Sequence, residues 1–364
     1  MVRALSARNA WTGWKSACRG GCGGGQSACG ATVARRGGSN VSYPPGGAPL
    51  QERLTIVPTE DTMLKTLRDK QMWLVSQPDH AELAGLLAAN WGNDEFARPG
   101  QFARVDDPEQ LRAEIVLAIA QHDNGSWEWE ATPDHLEVDG LPLDCTDLSK
   151  NWQEAMNRWR LGIPRFSRDH PYASLLISFH GYWLYAHGIQ TDPDPAFAHP
   201  LFWKGSSTSL MGEGLDIARG FVDEIKEMQD AFIARLRKDQ TCAAWIDTEH
   251  LNPHARLLQL LDGLSLSLCS ALIPPRTGTA KGFGEDEFDL LDVPRRSWED
   301  RVTIKVKPAS EGRIICEPYP FGVDPLPVAV PARILDLPAE PSAHFQSRWY
   351  SEPKQPIRFE YCSG

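Results

Sequence analysis

Apolar positions recur with a helical period over most of the chain and with a period of two towards its end. From Ser76 to Asn90 the pattern predicts a helix, with Pro78 suited to its first turn and Trp91-Gly92 stopping it. A second helix opens at Asp107-Pro108, a cap followed by a first-position proline. Leu111, Ile115, Ile119 and His122 mark one face of it before Asn124-Gly125 ends it. A third, from Pro171 to His187, is apolar nearly all round and closes at Gly188, which places it deep in a core. Two further helices fit Leu215 to Lys238 and Leu251 to Ala271. A Trp- and Arg-rich loop and short-helix stretch separates the second helix from the third, and Thr191 to Gly214 reads as loop.

Strand signals are sparser. Leu54 to Val57 reads as a short strand, and Val302, Ile304 and Val306 alternate with Thr303, Lys305 and Lys307. A turn at Ser310-Glu311-Gly312 then leads to Arg313–Cys316, so this region predicts a hairpin. Val328 to Val330 and Ile357 to Tyr361 add strand-like pieces, whereas Ile273 to Asp300 reads as a long mixed-charge loop. The expected fold is therefore mainly α with a small C-terminal antiparallel β element, α+β overall. The expected organisation is an extension over 1–51, a helical domain over 52–300 and a small β-rich subdomain over 301–364 packed on it.

Composition changes the picture mostly at the N-terminus. Residues 1–51 hold no Asp or Glu but six basic residues, and glycine runs such as Gly23-Gly24-Gly25. Such a segment cannot bury enough apolar surface to offset its ordering entropy, and it reads as disordered. It has the composition of an organelle transit peptide, and equally of a non-functional extension or a start placed too far upstream. The whole chain carries a net charge of -11, which disfavours generic nucleic-acid binding. No apolar run approaches the ~20 residues of a membrane helix, so no membrane partner is expected. The eight cysteines form no CxxC pair; those beyond the tail are scattered in apolar company, which reads as free thiols in a reducing, cytoplasmic compartment.

The informative positions are polar groups where the pattern demands apolar ones. His122 falls in line with Ile115 and Ile119, and Asp123 follows it directly. Asp262 lies among Leu257, Leu261, Leu264 and Leu268, where an unpaired charge costs several kcal/mol, and Arg256 sits six residues away, off its face. His80 occupies the first turn of its helix, and His180 and His187 share a face of the most apolar one. Each has a bland reading as a hydrogen-bonded core group. Taken together they form a mixed nitrogen and oxygen donor set suited to one or two divalent transition-metal ions, Fe, Mn, Co, Ni or Zn, better than to calcium.

These residues carry a resemblance. A His on one helix, the His122-Asp123 pair followed by Gly125, and a lone late Asp262 resemble the HD-domain superfamily, helical metal-dependent phosphohydrolases with a minority of di-iron oxygenases. A closer resemblance is to an uncharacterised bacterial family, domain of unknown function 3891. It rests on "QPDHAELAGLLAANWG" (Gln77 to Gly92), "HDNGSWEW" (His122 to Trp129), "DHPYASLLISFH" (Asp169 to His180), "LLDGLSLSLC" (Leu260 to Cys269) and "PYPF" (Pro318 to Phe321).

The HD resemblance implies an HD-like helical bundle in which His80, His122, Asp123 and Asp262 bind a metal. His180 is the best candidate for a second ion, with His187 and His254 in reserve. It implies catalytic roles for Asp123 and His180. Many active HD domains place a lysine after His-Asp-x-Gly, where this chain has Ser126 and Trp127. Arg158, Arg160, Arg165 and Arg168 are the cations available to replace it. Trp127 and Trp129, with Arg158 and Arg165, are the candidate contacts to a small-molecule substrate. The leading expectation is a metal-dependent phosphoester hydrolase; the alternatives are a di-iron oxygenase and a non-catalytic ligand-binding protein with a structural metal or buried polar network. Glu128 and Glu130, flanking Trp129, are a further candidate acid and base. Oligomeric state is not legible.

Overall fold

The protein is described from a computed structural model, which covers residues 62–131, 142–144, 148–189, 194–199, 212–271, 281–310, 312–337 and 345–364. The N-terminal extension and the Leu54–Val57 strand expected from sequence lie outside the described residues.

Five helices of ten residues or more build the helical layer: α1 (Gln77–Asn90), α2 (Pro108–Ala120), α4 (Leu148–Gly162), α5 (Pro171–Gly188) and α6 (Glu213–Leu236), with a sixth, α7 (Thr248–Cys269), at its centre. A short α3 (Trp127–Ala131) follows a single tight turn at Asn124–Ser126. The starts follow local chemistry. Ser76 caps α1 by accepting from the Asp79 amide, and Asp107 caps α2 by accepting from the Gln110 amide at 2.9 Å. Helix α7 is buried from Pro253 to Cys269 and packs against α1, α2, α5 and the sheet, which is why it carries so few exposed polar groups.

The sheet overturns the expected fold class. Instead of a mainly helical, HD-like bundle with a small C-terminal β element, the described residues form one large, curled mixed sheet. Its eight strands are β1 (Thr62–Arg68), β2 (Gln71–Val75), the two-residue β3 (Leu143–Asp144), β4 (Phe288–Pro294), β5 (Arg301–Pro308), β6 (Arg313–Glu317), β7 (Leu326–Asp336) and β8 (Gln355–Ser363). They lie in the order β3-β1-β2-β7-β8-β6-β5-β4. Most neighbours are antiparallel, but β1 with β3 and β6 with β8 run parallel. The joint between the two ends of the chain is β2 against β7, where Met72 pairs with Leu335 and Leu74 with Arg333.

Two features conceal this sheet. Strand β7 contains Pro327 and Pro331, residues that argue against a central strand. Both lie beyond the stretch paired with β2, so that flank of β7 needs no ladder hydrogen bond from them. Strand β4 alternates Phe288 and Leu290 inward with Asp289 outward and then breaks register before Val293, leaving Leu291 and Asp292 exposed. That bulge blurs the period of two. Helix α1 leaves the sheet directly from β2 through Ser76, so the first turn of α1 and its His80 start at the end of a strand paired on both sides.

Candidate metal centre

Six side chains from five segments meet around Asp262: His80 in the first turn of α1, His122 and Asp123 just beyond α2, His180 midway along α5, His199 in the segment between α5 and α6, and Asp262 midway along α7. All are buried except Asp123, whose side chain is 16 % exposed. The expected placement of His122 on the last turn of α2 is slightly off, because the helix ends at Ala120 and Gln121 closes it.

Local packing fixes the turn that carries the pair. A Cβ on Gly125 would stand 2.0 Å from the carbonyl oxygen of Arg158, and one on Gly162 would meet the Gly125 backbone at 2.8 Å. Two glycines thus let the Asp123–Ser126 turn press directly on the end of α4. Asn124 pins it further by donating to the Gly162 carbonyl at 3.1 Å.

The hydrogen bonds determine which ring nitrogens face inward. His122 Nδ1 lies 2.8 Å from the Ile119 carbonyl, which can only accept, so Nδ1 carries the proton and Nε2 is left as the inner atom. That Nε2 lies 3.3 Å from Asp262 Oδ1 and 3.5 Å from Asp123 Oδ2. Ser265 Oγ donates to the Asp262 carbonyl at 2.8 Å and is therefore the acceptor for His80 Nδ1 at 2.9 Å. His80 Nε2 then meets Asp123 Oδ2 at 2.7 Å. An imidazole lone pair facing a carboxylate oxygen is repulsive, so each contact requires a proton or a cation between the atoms.

The second oxygen of Asp262 has its own pair of histidines, His180 Nε2 at 3.4 Å and His199 Nε2 at 2.9 Å. The rings of His80 and His180 stand nearly perpendicular to that of His122, at centroid distances of 5.0 and 5.2 Å. Two overlapping sets have one ligand atom per residue within 4.8 Å of one another: His80, His122 and Asp123, and His122, His180 and Asp262.

Charge follows the same geometry. Burial works against the imidazolium of His122, but Asp123 and Asp262 outweigh it and raise its pKa to about 9. Burial likewise opposes the charge on Asp262, yet hydrogen bonds from His122, His180 and His199 hold its carboxyl well below the usual range. Asp123 is lowered against its burial, by His122 and His80. His199 goes the other way: burial lowers it to about 4 despite Asp262, so it is a neutral donor. The centre thus sets two carboxylates, the buried Asp262 and the partly exposed Asp123, among the imidazoles.

The other sequence candidates separate. Arg158 is buried with its guanidinium 5.6 Å from the Trp129 ring, and its carbonyl packs against Gly125. Arg165 is bound by both oxygens of Glu128 at 2.8 Å and lies over Trp127. Arg160 pairs with Glu224, and Arg168 is exposed beside Asp169. Glu128 and Glu130, the further candidate acid and base, are separated by helix α3, which exposes Glu128 and buries Glu130. Arg256 makes no ion pair with Asp262; it turns to backbone carbonyls instead. His254 is taken up elsewhere, accepting from the Gly100 amide and bonding Tyr172 Oη at 2.8 Å. His187 packs against the Trp183 ring. His199 was not found by sequence reasoning, because it lies in a segment without periodicity; its only local mark is the aromatic and proline company of Phe197 and Pro200.

Residues 63–337 match the family described as "Protein of unknown function (DUF3891)". The chain belongs to this family. The match carries no HD-domain assignment. No curated protein and no solved structure matches the chain. Among the described residues, no helix is long and apolar enough to cross a membrane.

Proposed function

We propose that this member of the DUF3891 family is a metal-dependent hydrolase acting on a small phosphoester. The observation that carries the reading is His122, whose Nδ1 is committed to Ile119 while its buried Nε2 faces oxygens of both Asp123 and Asp262. A hydrogen bond from the far ring nitrogen to a backbone carbonyl fixes the tautomer of metal-bound histidines. The donor set of imidazoles and carboxylates suits Fe, Mn, Co, Ni or Zn. His80, His122, Asp123 and Asp262 would hold one ion; His180 and His199, on the other oxygen of Asp262, would serve a second. Such an ion supplies a water of lowered pKa and polarises a phosphoryl oxygen.

The chain's own groups divide the remaining work. Asp123 is the most open of the six and is placed to orient the attacking water. His180, whose Nδ1 has no hydrogen-bond partner among the described residues, is placed to move a proton. Arg158, beside Trp129 and against the turn that follows Asp123, is the cation best placed to take the role of the absent lysine. The buried free cysteines Cys242, Cys269, Cys316 and Cys362 fit a reducing, cytoplasmic setting.

Metal-loaded protein is expected to hydrolyse members of a phosphoester panel and to lose more than about a hundred-fold in rate in Asp123→Ala. Background rates with every loaded metal would contradict the proposal. A second reading, a di-iron oxygenase, is favoured by the histidine pair on the second oxygen of Asp262. It predicts oxygen consumption and a mixed-valent iron signal by electron paramagnetic resonance. A non-catalytic protein predicts neither activity.

A further inference from the structure

Helix α7 carries a polar residue at every third position from Arg256 through Gln259 and Asp262 to Ser265, all of them buried. The last two belong to the metal centre directly, Asp262 through His122, His180 and His199 and Ser265 through His80. The first two do not reach it. Gln259 Nε2 donates to the Phe197 carbonyl at 2.8 Å, and Arg256 Nη1 donates to the Ala198 carbonyl and to Gln259 Oε1. Arg256 Nη2 is fixed in turn on the Leu291 carbonyl at 2.7 Å. The Phe197 and Ala198 carbonyls belong to the two residues immediately before His199. The Phe197 ring adds a third restraint, stacked between Trp183 at 4.7 Å and Trp298 at 5.2 Å.

A buried guanidinium is costly to desolvate, and here it faces backbone oxygens and an amide instead of an acid. That arrangement has a geometric consequence. The clamp and Asp262 ride on the same rigid helix, so the distance from His199 Nε2 to Asp262 Oδ2 is set by one element, although His199 itself lies in an irregular segment. We propose that Arg256 and Gln259 are positioning residues of the metal centre, which hold His199 against the second oxygen of Asp262 by clamping the Phe197–Ala198 backbone. This inference rests on the metal reading above.

The test is a double-mutant cycle on the full chain with cobalt(II), read by competition against a chromophoric chelator and by visible absorption. Gln259→Met is expected to weaken cobalt affinity about 10- to 100-fold, the range for groups that hold a metal ligand in place. His199→Ala is expected to weaken it at least as much, and the double variant no further than His199→Ala alone, because the clamp acts only through that ring. Trp298→Leu, which loosens the arm without touching α7, completes the same cycle should Gln259→Met fail to fold. Wild-type affinity in the clamp variants, or losses that multiply in the double variants, would overturn the clamp while leaving the metal centre intact. A wild-type protein that takes up no cobalt would overturn the metal centre itself, and the clamp with it.

Discussion

His122 Nε2 stands 3.3 Å from Asp262 Oδ1, and the two side chains reach that contact from segments 140 positions apart in the chain. In the metal-free protein this contact is an ion pair, with the imidazolium stabilised by Asp262 and by Asp123. Asp262→Asn removes the charge that three histidines bond to and leaves His122 in a buried site with a weaker partner. Stability of the metal-free protein is expected to fall by about 3–5 kcal/mol, the usual cost of breaking a buried pair. Urea unfolding with chelator present measures it, and a change below about 1 kcal/mol would show that the pair is not formed.

The Gly125–Arg158 contact gives a sterically simple prediction. With a Cβ 2.0 Å from a backbone oxygen, Gly125→Ala has to push the Asp123 turn away from α4. A loss of about 1–3 kcal/mol is expected, together with weaker metal binding, since Asp123 moves with the turn. Gly220→Ala is the control: it lies exposed within α6 with nothing near its Cβ position, and should stabilise by up to about 1 kcal/mol. Thermal unfolding of the two variants should shift in opposite directions.

Glu130 predicts a pH dependence. Burial raises its carboxyl to about 8, although it accepts a hydrogen bond from the Gln77 amide at the start of α1. A folded-state pKa above the unfolded value means that the folded protein binds the extra proton, so this contribution is complete below the unfolded value of 4.5 and is lost as pH rises through about 8. The stability difference between wild type and Glu130→Gln should therefore shift against wild type by up to about a few kcal/mol between pH 5 and 9. Denaturant unfolding across that range measures it, and a flat difference would place the ionised form of Glu130 in the fold.

What could be read from sequence follows from which signals are periodic. His80, His122, Asp123, His180 and Asp262 are legible because they are polar groups at or beside positions where the helical pattern asks for apolar ones, and the structure gathers all five around one point. His199 interrupts nothing, since its neighbours follow no period, and only the tertiary clamp from α7 brings it in. Helices α5, α6 and α7 lie within a few residues of their expected limits because long amphipathic or apolar runs dominate their local pattern. The sheet was largely hidden, as Pro327 and Pro331 disguise β7 and the bulge after Leu290 disguises β4. The joining of β2 to β7 is a pairing across the whole chain that no local pattern records.

Elemental analysis of the full chain, purified without added metal or chelator, beside His122→Ala prepared the same way, decides whether the histidines and carboxylates around Asp262 hold a metal ion. At least one transition-metal ion per wild-type chain is expected, and its loss in a variant that still unfolds cooperatively. Folded wild-type protein that holds no transition metal, and whose melting temperature does not move on adding iron, manganese, cobalt, nickel or zinc, would contradict it.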